Sequence, residues 1–332
     1  MLEHGGRLRI AAAKYGIALE DWLDLSTAIN PRPWPVPALA PDAWHRLPED
    51  NDGLEDAAMA YYCTGQVLAV AGSQAAIQSL PELIPGRVVT IPAPTYAEHP
   101  HAWRGRILRR VAADPDCIDA CIDSTDVLVL VNPNNPSGTH YPRTRLLDWH
   151  RRLAARGGWL VIDEAFIDPD PSESLAACAG NPGLVILRSA GKFFGLAGAR
   201  VGFVLAPEAL RAALGARLGP WTVSGPARAV VQAALRDRAW HDSTRRRLQA
   251  DGERLASLLH HAGFDDVRGP ALFKWFEHPA ARAIAHQLAG HGILVRHFDA
   301  PASLRFGLPP DEHGWQRLAD TLQSTAIKEL RR

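Results

Sequence analysis

Arg188-Ser189-Ala190-Gly191-Lys192-Phe193-Phe194-Gly195-Leu196-Ala197-Gly198-Ala199-Arg200 holds one of four lysines in a chain of 332 residues. The others are Lys14, Lys274 and Lys328, so nearly all the positive charge is arginine. A lysine kept in a glycine-bearing, otherwise uncharged turn asks for a reason. Its amine becomes a nucleophile toward a carbonyl where the surroundings favour the neutral form, and the aldehyde of pyridoxal phosphate is the commonest such partner. Ser189 stands three residues before Lys192 and Arg200 eight after it. A hydroxyl and a planar guanidinium so placed can hold a phosphate. By itself the pattern is met equally well by a surface lysine in a turn beside an arginine.

Outward from this stretch, apolar runs and helical spacings alternate. Residues 67–71, 87–91, 126–131, 159–162, 184–187 and 201–205 read as short strands, and 73–84 and 143–155 as helices. The alternation predicts an α/β fold with a mainly parallel sheet covered on both faces. Pro31, Pro33, Pro35 and Pro37 exclude a helix and mark an extended segment laid over another surface, with a folded body beginning near residue 50. After Pro220 the texture changes. Residues 226–262 read as long helices, followed by strands at 267–276, 293–296 and 303–307 and helices at 280–290 and 311–330. The expected division is an N-terminal arm at 1–45, a large domain at 46–225, and connecting helices with a small α+β domain at 226–332.

In a parallel sheet ligands bind where strands end and helices begin, and the informative motifs fall at such ends. Gly72-Ser73-Gln74 opens a helix, where backbone N–H groups and the helix dipole can take a phosphate; an ordinary serine cap accounts for the same residues. Tyr96 in Pro94-Thr95-Tyr96 can stack on a planar ring or sit in the core. Asn132-Pro133-Asn134-Asn135-Pro136-Ser137-Gly138 is a rigid turn in which Asn135 can donate to a phenolate oxygen. Asp163, closing the strand at 159–162, needs a cationic partner to stay ionised at a buried sheet mouth, and a protonated pyridine nitrogen is one.

That order, a glycine-led helix start, an aromatic, an Asn-Pro turn, a strand-end Asp, then Ser-x-x-Lys and an Arg, resembles the fold-type I aminotransferase family of pyridoxal-phosphate enzymes over nearly the whole chain. The resemblance implies a mainly parallel seven-stranded sheet and a smaller C-terminal domain, with pyridoxal 5′-phosphate as cofactor. It implies Lys192 as the Schiff-base lysine, Asp163 against the pyridinium nitrogen, Asn135 at the cofactor hydroxyl and Tyr96 on the ring. Gly72, Ser73, Gln74, Ser189 and Arg200 would hold the phosphate, and Arg305 would grip a substrate carboxylate.

Within that superfamily the resemblance narrows to the threonine-phosphate decarboxylases of cobalamin biosynthesis, with histidinol-phosphate aminotransferases as near relatives and an aminotransferase as the alternative activity. It rests on His4-Gly5-Gly6, on Leu23-Asp24-Leu25-Ser26-Thr27-Ala28-Ile29-Asn30-Pro31, on Asp163-Glu164-Ala165-Phe166-Ile167-Asp168, on Pro220-Trp221-Thr222-Val223, and on Ile293-Leu294-Val295-Arg296 ahead of Arg305. It implies that His4, Asn30, Arg296 and Arg305 fix the substrate's phosphate and carboxylate. Phe166 stands where related aminotransferases carry a tyrosine that donates to the cofactor, and Leu47 where they carry a tyrosine reaching the phosphate of a neighbouring subunit. A homodimer is therefore expected.

Zero formal net charge advertises neither a nucleic-acid nor a membrane-surface partner. Short apolar runs and a start without an apolar leader lead to the expectation of a cytoplasmic enzyme. Cys63, Cys117, Cys121 and Cys178 show no paired spacing, and no metal site is expected. Arg245-Arg246-Arg247 reads as a solvated helix face.

Overall fold

The structure, a computed structural model, describes residues 4–330; residues 1–3 of the expected arm and 331–332 of the expected C-terminal domain lie outside the described residues. In chain order the strands are β1 (Leu23–Asp24), β2 (Val67–Val70), β3 (Val88–Ala93), β4 (Ile107–Ala112), β5 (Val127–Val131), β6 (Trp159–Asp163), β7 (Leu184–Ser189), β8 (Gly202–Leu205), β9 (Phe273–Glu277), β10 (Ile293–Leu294), β11 (Arg296–Asp299) and β12 (Ala302–Gly307). Two compact units divide the chain: Pro33–Asn135 with Thr139–Arg245, and Met1–Arg32 with Pro136–Gly138 and Arg246–Arg332.

The first unit is built on a seven-stranded sheet of order β2-β8-β7-β6-β5-β3-β4. β3 through β7 run parallel, and β8 lies antiparallel to both β7 and β2. Every residue of β5 is buried, which explains an apolar run without alternation, since each such side chain contributes about 1.5–3 kcal/mol when buried. The helix Ser73–Leu83 turns Ala76, Ile77 and Leu80 into the same core cluster as Val70, Leu187 and Val204. β4 is absent from the sequence reading because it is an edge strand, and Arg109 and Arg110 break its apolar pattern.

This unit extends beyond the 46–225 expected for it. Trp34 is 7% exposed, and its indole donates to Asp237 at 3.1 Å, so the proline-rich segment is an extended strap on this unit. The helix Gly225–Arg236 packs on the helix Leu54–Tyr62, where Arg228 is clamped by Asp52 and Glu55.

In the other unit β11, β12 and β9 form an antiparallel sheet in that order, and β1 pairs with β10 in parallel. The strand expected at 267–276 begins only at Phe273, because Gly269, at φ +138°, and Pro270 interrupt it. The helix expected at 311–330 is two, Glu312–Leu322 and Thr325–Leu330.

Candidate active site

The sheet order brings sequence-distant motifs to one edge. β2 runs into Gly72, β3 into Pro94 and β5 into Asn132, while β6 ends on Asp163 and β7 on Ser189. Around these ends lies a cavity of about 150 Å³ lined by Gly72, Ser73, Gln74, Tyr96, Asn135, Asp163, Ser189, Lys192 and Arg200, together with Val131, Ala165 and Phe166. Every residue expected to touch the cofactor is therefore on its wall.

The backbone explains several of these positions. Gly72 takes φ +72° at the start of the helix Ser73–Leu83, and a Cβ there would stand 2.6 Å from Arg200 Nη2. Arg200 itself adopts left-handed backbone at φ +55°, unusual for a side-chain-bearing residue. Ser189 Oγ accepts from the Gly191 N–H at 3.2 Å and so shapes the turn into Lys192. The Lys192 amine lies 5.3 Å from the centroid of Phe166, which is 3% exposed and has no hydroxyl to donate. The Gln74 side chain donates to Glu98 at 2.8 Å, so what it turns toward the cavity is constrained by that bond.

Asp163 is 3% exposed and doubly held. Its Oδ1 accepts from the Ala165 N–H at 3.0 Å, and its Oδ2 lies 3.0 Å from His99 Nε2. A carboxylate acceptor requires the proton on that nitrogen. The sequence reading missed His99. Its signal was the three-residue spacing from Tyr96, which puts both rings on one turn with centroids 6.0 Å apart.

Beneath the cavity, Arg188 bonds Glu164 at 2.9 Å and also bonds Asp168; all three are essentially fully buried. Burial pushes Glu164 up, against the pull of Arg188 beside it. Burial also works against the Arg188 charge, but Asp168 and Glu164 hold its pKa above the ordinary value. Glu164 follows Asp163 and Arg188 precedes Ser189, so the cluster ties the end of β6 to the end of β7. Removing Arg188 would leave two buried carboxylates without their cation, at a cost of about 3–5 kcal/mol.

The four residues expected at the substrate lie in the other unit. The Gly6 N–H donates to Ser26 Oγ at 2.8 Å, and a Cβ on Gly5 would stand 2.4 Å from Ser26 O, so the His4-Gly5-Gly6 segment lies flat on Ser26. Arg305, 5% exposed, donates to the same Ser26 carbonyl. Asn30 is 2% exposed and accepts from Arg247 at 3.2 Å. Arg296 and Arg305 are register partners on β11 and β12, so their side chains leave the same face of the sheet.

The expected solvated face at 245–247 is corrected. Only Arg246 is exposed; Arg245 donates to the Asp168 carbonyl at 3.0 Å and Arg247 to Asn30. Both reach acceptors too remote in sequence for charge patterning to reveal.

A family model, aminotransferase class I and II, matches residues 46–322. The chain belongs to that family. It is 54% identical over 320 residues to a threonine-phosphate decarboxylase of Pseudomonas aeruginosa, covering 96% of each chain. To a threonine-phosphate decarboxylase of a Sinorhizobium species it is 44% identical over 331 residues, covering 96% of this chain and 97% of the relative. Among solved structures, the histidinol-phosphate aminotransferase of Sinorhizobium meliloti in complex with pyridoxal-5′-phosphate superposes with a TM-score of 0.81 at 19% identity, covering 100% of this chain and 98% of that one. The fold is thus shared well beyond the range of sequence likeness.

Proposed function

We propose that the chain decarboxylates L-threonine O-3-phosphate to (R)-1-aminopropan-2-yl phosphate in cobalamin biosynthesis, with pyridoxal 5′-phosphate as cofactor. The observation that carries this is near full-length identity to two threonine-phosphate decarboxylases. The donor set suits the cofactor: an amine, a buried carboxylate, an amide, an aromatic ring and a guanidinium beside a helix start line one cavity. When bound, pyridoxal phosphate supplies an electron sink conjugated to the substrate's Cα.

The chain's own residues do the rest. Lys192 would anchor the cofactor aldehyde, and its amine is the group placed to move a proton at Cα. Asp163, oriented by His99, would hold the proton on the ring nitrogen, Asn135 would donate to the ring hydroxyl, and Tyr96 would pack on the ring. Ser189, Arg200 and the helix start at Gly72-Ser73-Gln74 hold the cofactor phosphate, without the tyrosine that Leu47 replaces.

His4, Asn30, Arg296 and Arg305 bind the substrate's phosphate and carboxylate. Two arginines directly opposite on adjacent strands repel by about 0.2–1 kcal/mol, a cost an anion between them offsets. Their task would be orientation, because fixing phosphate and carboxylate together would decide which bond at Cα is cleaved.

The working form is a homodimer. Trp44, Leu47 and Trp221 are 68%, 64% and 56% exposed. Pro48 and Trp221 line a cavity of about 360 Å³ in the same unit. Large apolar side chains so exposed mark an interaction surface, and a second copy of this chain is the occupant that the expected shared site calls for. The cytoplasm, a reducing compartment, suits a chain whose four cysteines are free. Nucleic acid and membrane are no part of this function.

The test is to mix cofactor-loaded protein with O-phospho-L-threonine, without a keto acid, and follow carbon dioxide and aminopropanol phosphate together. Stoichiometric appearance of both is expected. Conversion of the cofactor to its amine form without gas release would make the chain an aminotransferase.

A further inference from the structure

A larger cavity, about 430 Å³, lies away from the catalytic one, between the helix Leu54–Tyr62 and the start of the helix Arg238–His261. Its polar wall carries three guanidiniums, Arg236, Arg238 and Arg245, with Tyr61, Cys63, His241 and a single acid, Asp242. Arg236 makes only a 3.5 Å bond to the Gly53 carbonyl, and neither it nor Arg238 has a carboxylate partner among the described residues. Asp242 reaches Arg245 at 3.5 Å from a side chain that is 65% exposed, so it neutralises little. His241 is 3% exposed and its Nε2 is bonded to the Ala234 carbonyl at 2.7 Å. Burial, and then the nearby Arg245, hold its pKa below the ordinary value, so the charge here belongs to the guanidiniums.

Three guanidiniums facing one concavity repel each other and concentrate anions there. Arg236 and Arg238 present planar forks suited to phosphoryl oxygens, whereas Arg245, already donating to the Asp168 carbonyl and at 3.3 Å to the Tyr61 hydroxyl, adds its charge. We propose that this cavity is a second anion site of the protein, taking a small molecule that bears a phosphoryl group.

Its position gives the site a consequence for the chemistry. The Arg245 guanidinium lies 5.6 Å from the Phe193 ring centroid, and the His241 and Phe194 rings are 5.5 Å apart. Those two phenylalanines directly follow Lys192. Arg245 also donates to the Asp168 carbonyl at 3.0 Å, and Asp168 belongs to the Arg188 cluster beneath the catalytic cavity. A ligand that recruits Arg245 therefore acts on the wall behind the Lys192 turn.

The experiment is calorimetric titration of the cofactor-loaded protein with inorganic pyrophosphate at low salt. It is run on the wild type, on Arg236→Gln/Arg238→Gln and on Arg305→Ala. Binding is expected in the wild type, weaker by at least about tenfold in the double variant, and retained in Arg305→Ala. Arg236 and Arg238 are exposed, so the double variant keeps its fold and its basal turnover. Three results would overturn the proposal: no saturable binding to the wild type, binding unchanged in the double variant, or binding abolished by Arg305→Ala alone.

Discussion

Replacing Gly72 with alanine probes the proposed phosphate end of the cavity at the strand ends through two separable effects. The residue sits at φ +72°, ψ 156°, a region essentially reserved for glycine, so the variant carries about 1–3 kcal/mol of backbone strain. The added Cβ would stand 2.6 Å from Arg200 Nη2, and only a swing of the guanidinium relieves that contact. If Arg200 grips the cofactor phosphate, moving it forfeits a charge-assisted contact of about 1.5–3 kcal/mol. Cofactor affinity then falls roughly ten- to hundredfold. Strain appears instead in the cofactor-free protein, as a thermal midpoint lowered by about 2–4 °C per kcal/mol. The assay is a fluorescence titration of the cofactor-free protein with pyridoxal phosphate, paired with a melting curve. Arg200→Ala and the double variant complete the cycle. Both substitutions remove one contact, so their affinity losses should not add. A lowered midpoint with wild-type cofactor affinity would refute the reasoning, because Arg200 would then be displaced without consequence for the phosphate.

Lys192→Ala should leave no covalent adduct after borohydride treatment, read by intact mass, and cofactor fixed to another lysine in that variant would sink the assignment. Arg305→Ala should raise the substrate KM by about tenfold or more while leaving the cofactor titration unchanged; equal losses of both would count against its role. Lys274 is pushed down to about 8 from 10.5 by burial, its amine donating to the Gly269 and Pro270 carbonyls. Between those values the unfolded chain holds a proton that the folded one lacks, so stability rises with pH from about 8 to about 10.5. Wild type should gain in melting temperature over Lys274→Met across that window, and parallel curves would show the amine unperturbed. Trp44→Glu/Trp221→Glu should shift the protein to a monomer in sedimentation, and an unchanged mass would remove that face as the dimer surface.

The corrections found in the structure share a cause. His99 reaches Asp163 across 64 residues, and Arg245 reaches the Asp168 carbonyl across 77. Neither pair has a spacing that any local period can register. β4 escaped notice because an edge strand tolerates the arginines that disguise it. The proline-rich segment was expected to lie over another surface, and the hydrogen bond from Trp34 to Asp237 shows that this surface belongs to the sheet unit.

The cavity at the strand ends was legible in the sequence because each of its parts is local. A buried strand is an apolar run, a turn or helix start comes directly after it, and Gly72, Asn135, Asp163, Ser189 and Lys192 all lie at or just beyond such ends. Sequence therefore determined the residue types at the cavity and the order in which the chain delivers them. Tertiary structure decided what surrounds them: the strand order β2-β8-β7-β6-β5-β3-β4 that makes those ends converge, the histidine behind Asp163, and the buried Arg188 cluster joining β6 to β7. It also set Arg296 opposite Arg305 and left three arginines around one cavity. The physical reason is range. Backbone conformation and hydrophobic period are properties of neighbours along the chain, whereas strand pairing and buried charge compensation are settled only when segments dozens of residues apart are packed together.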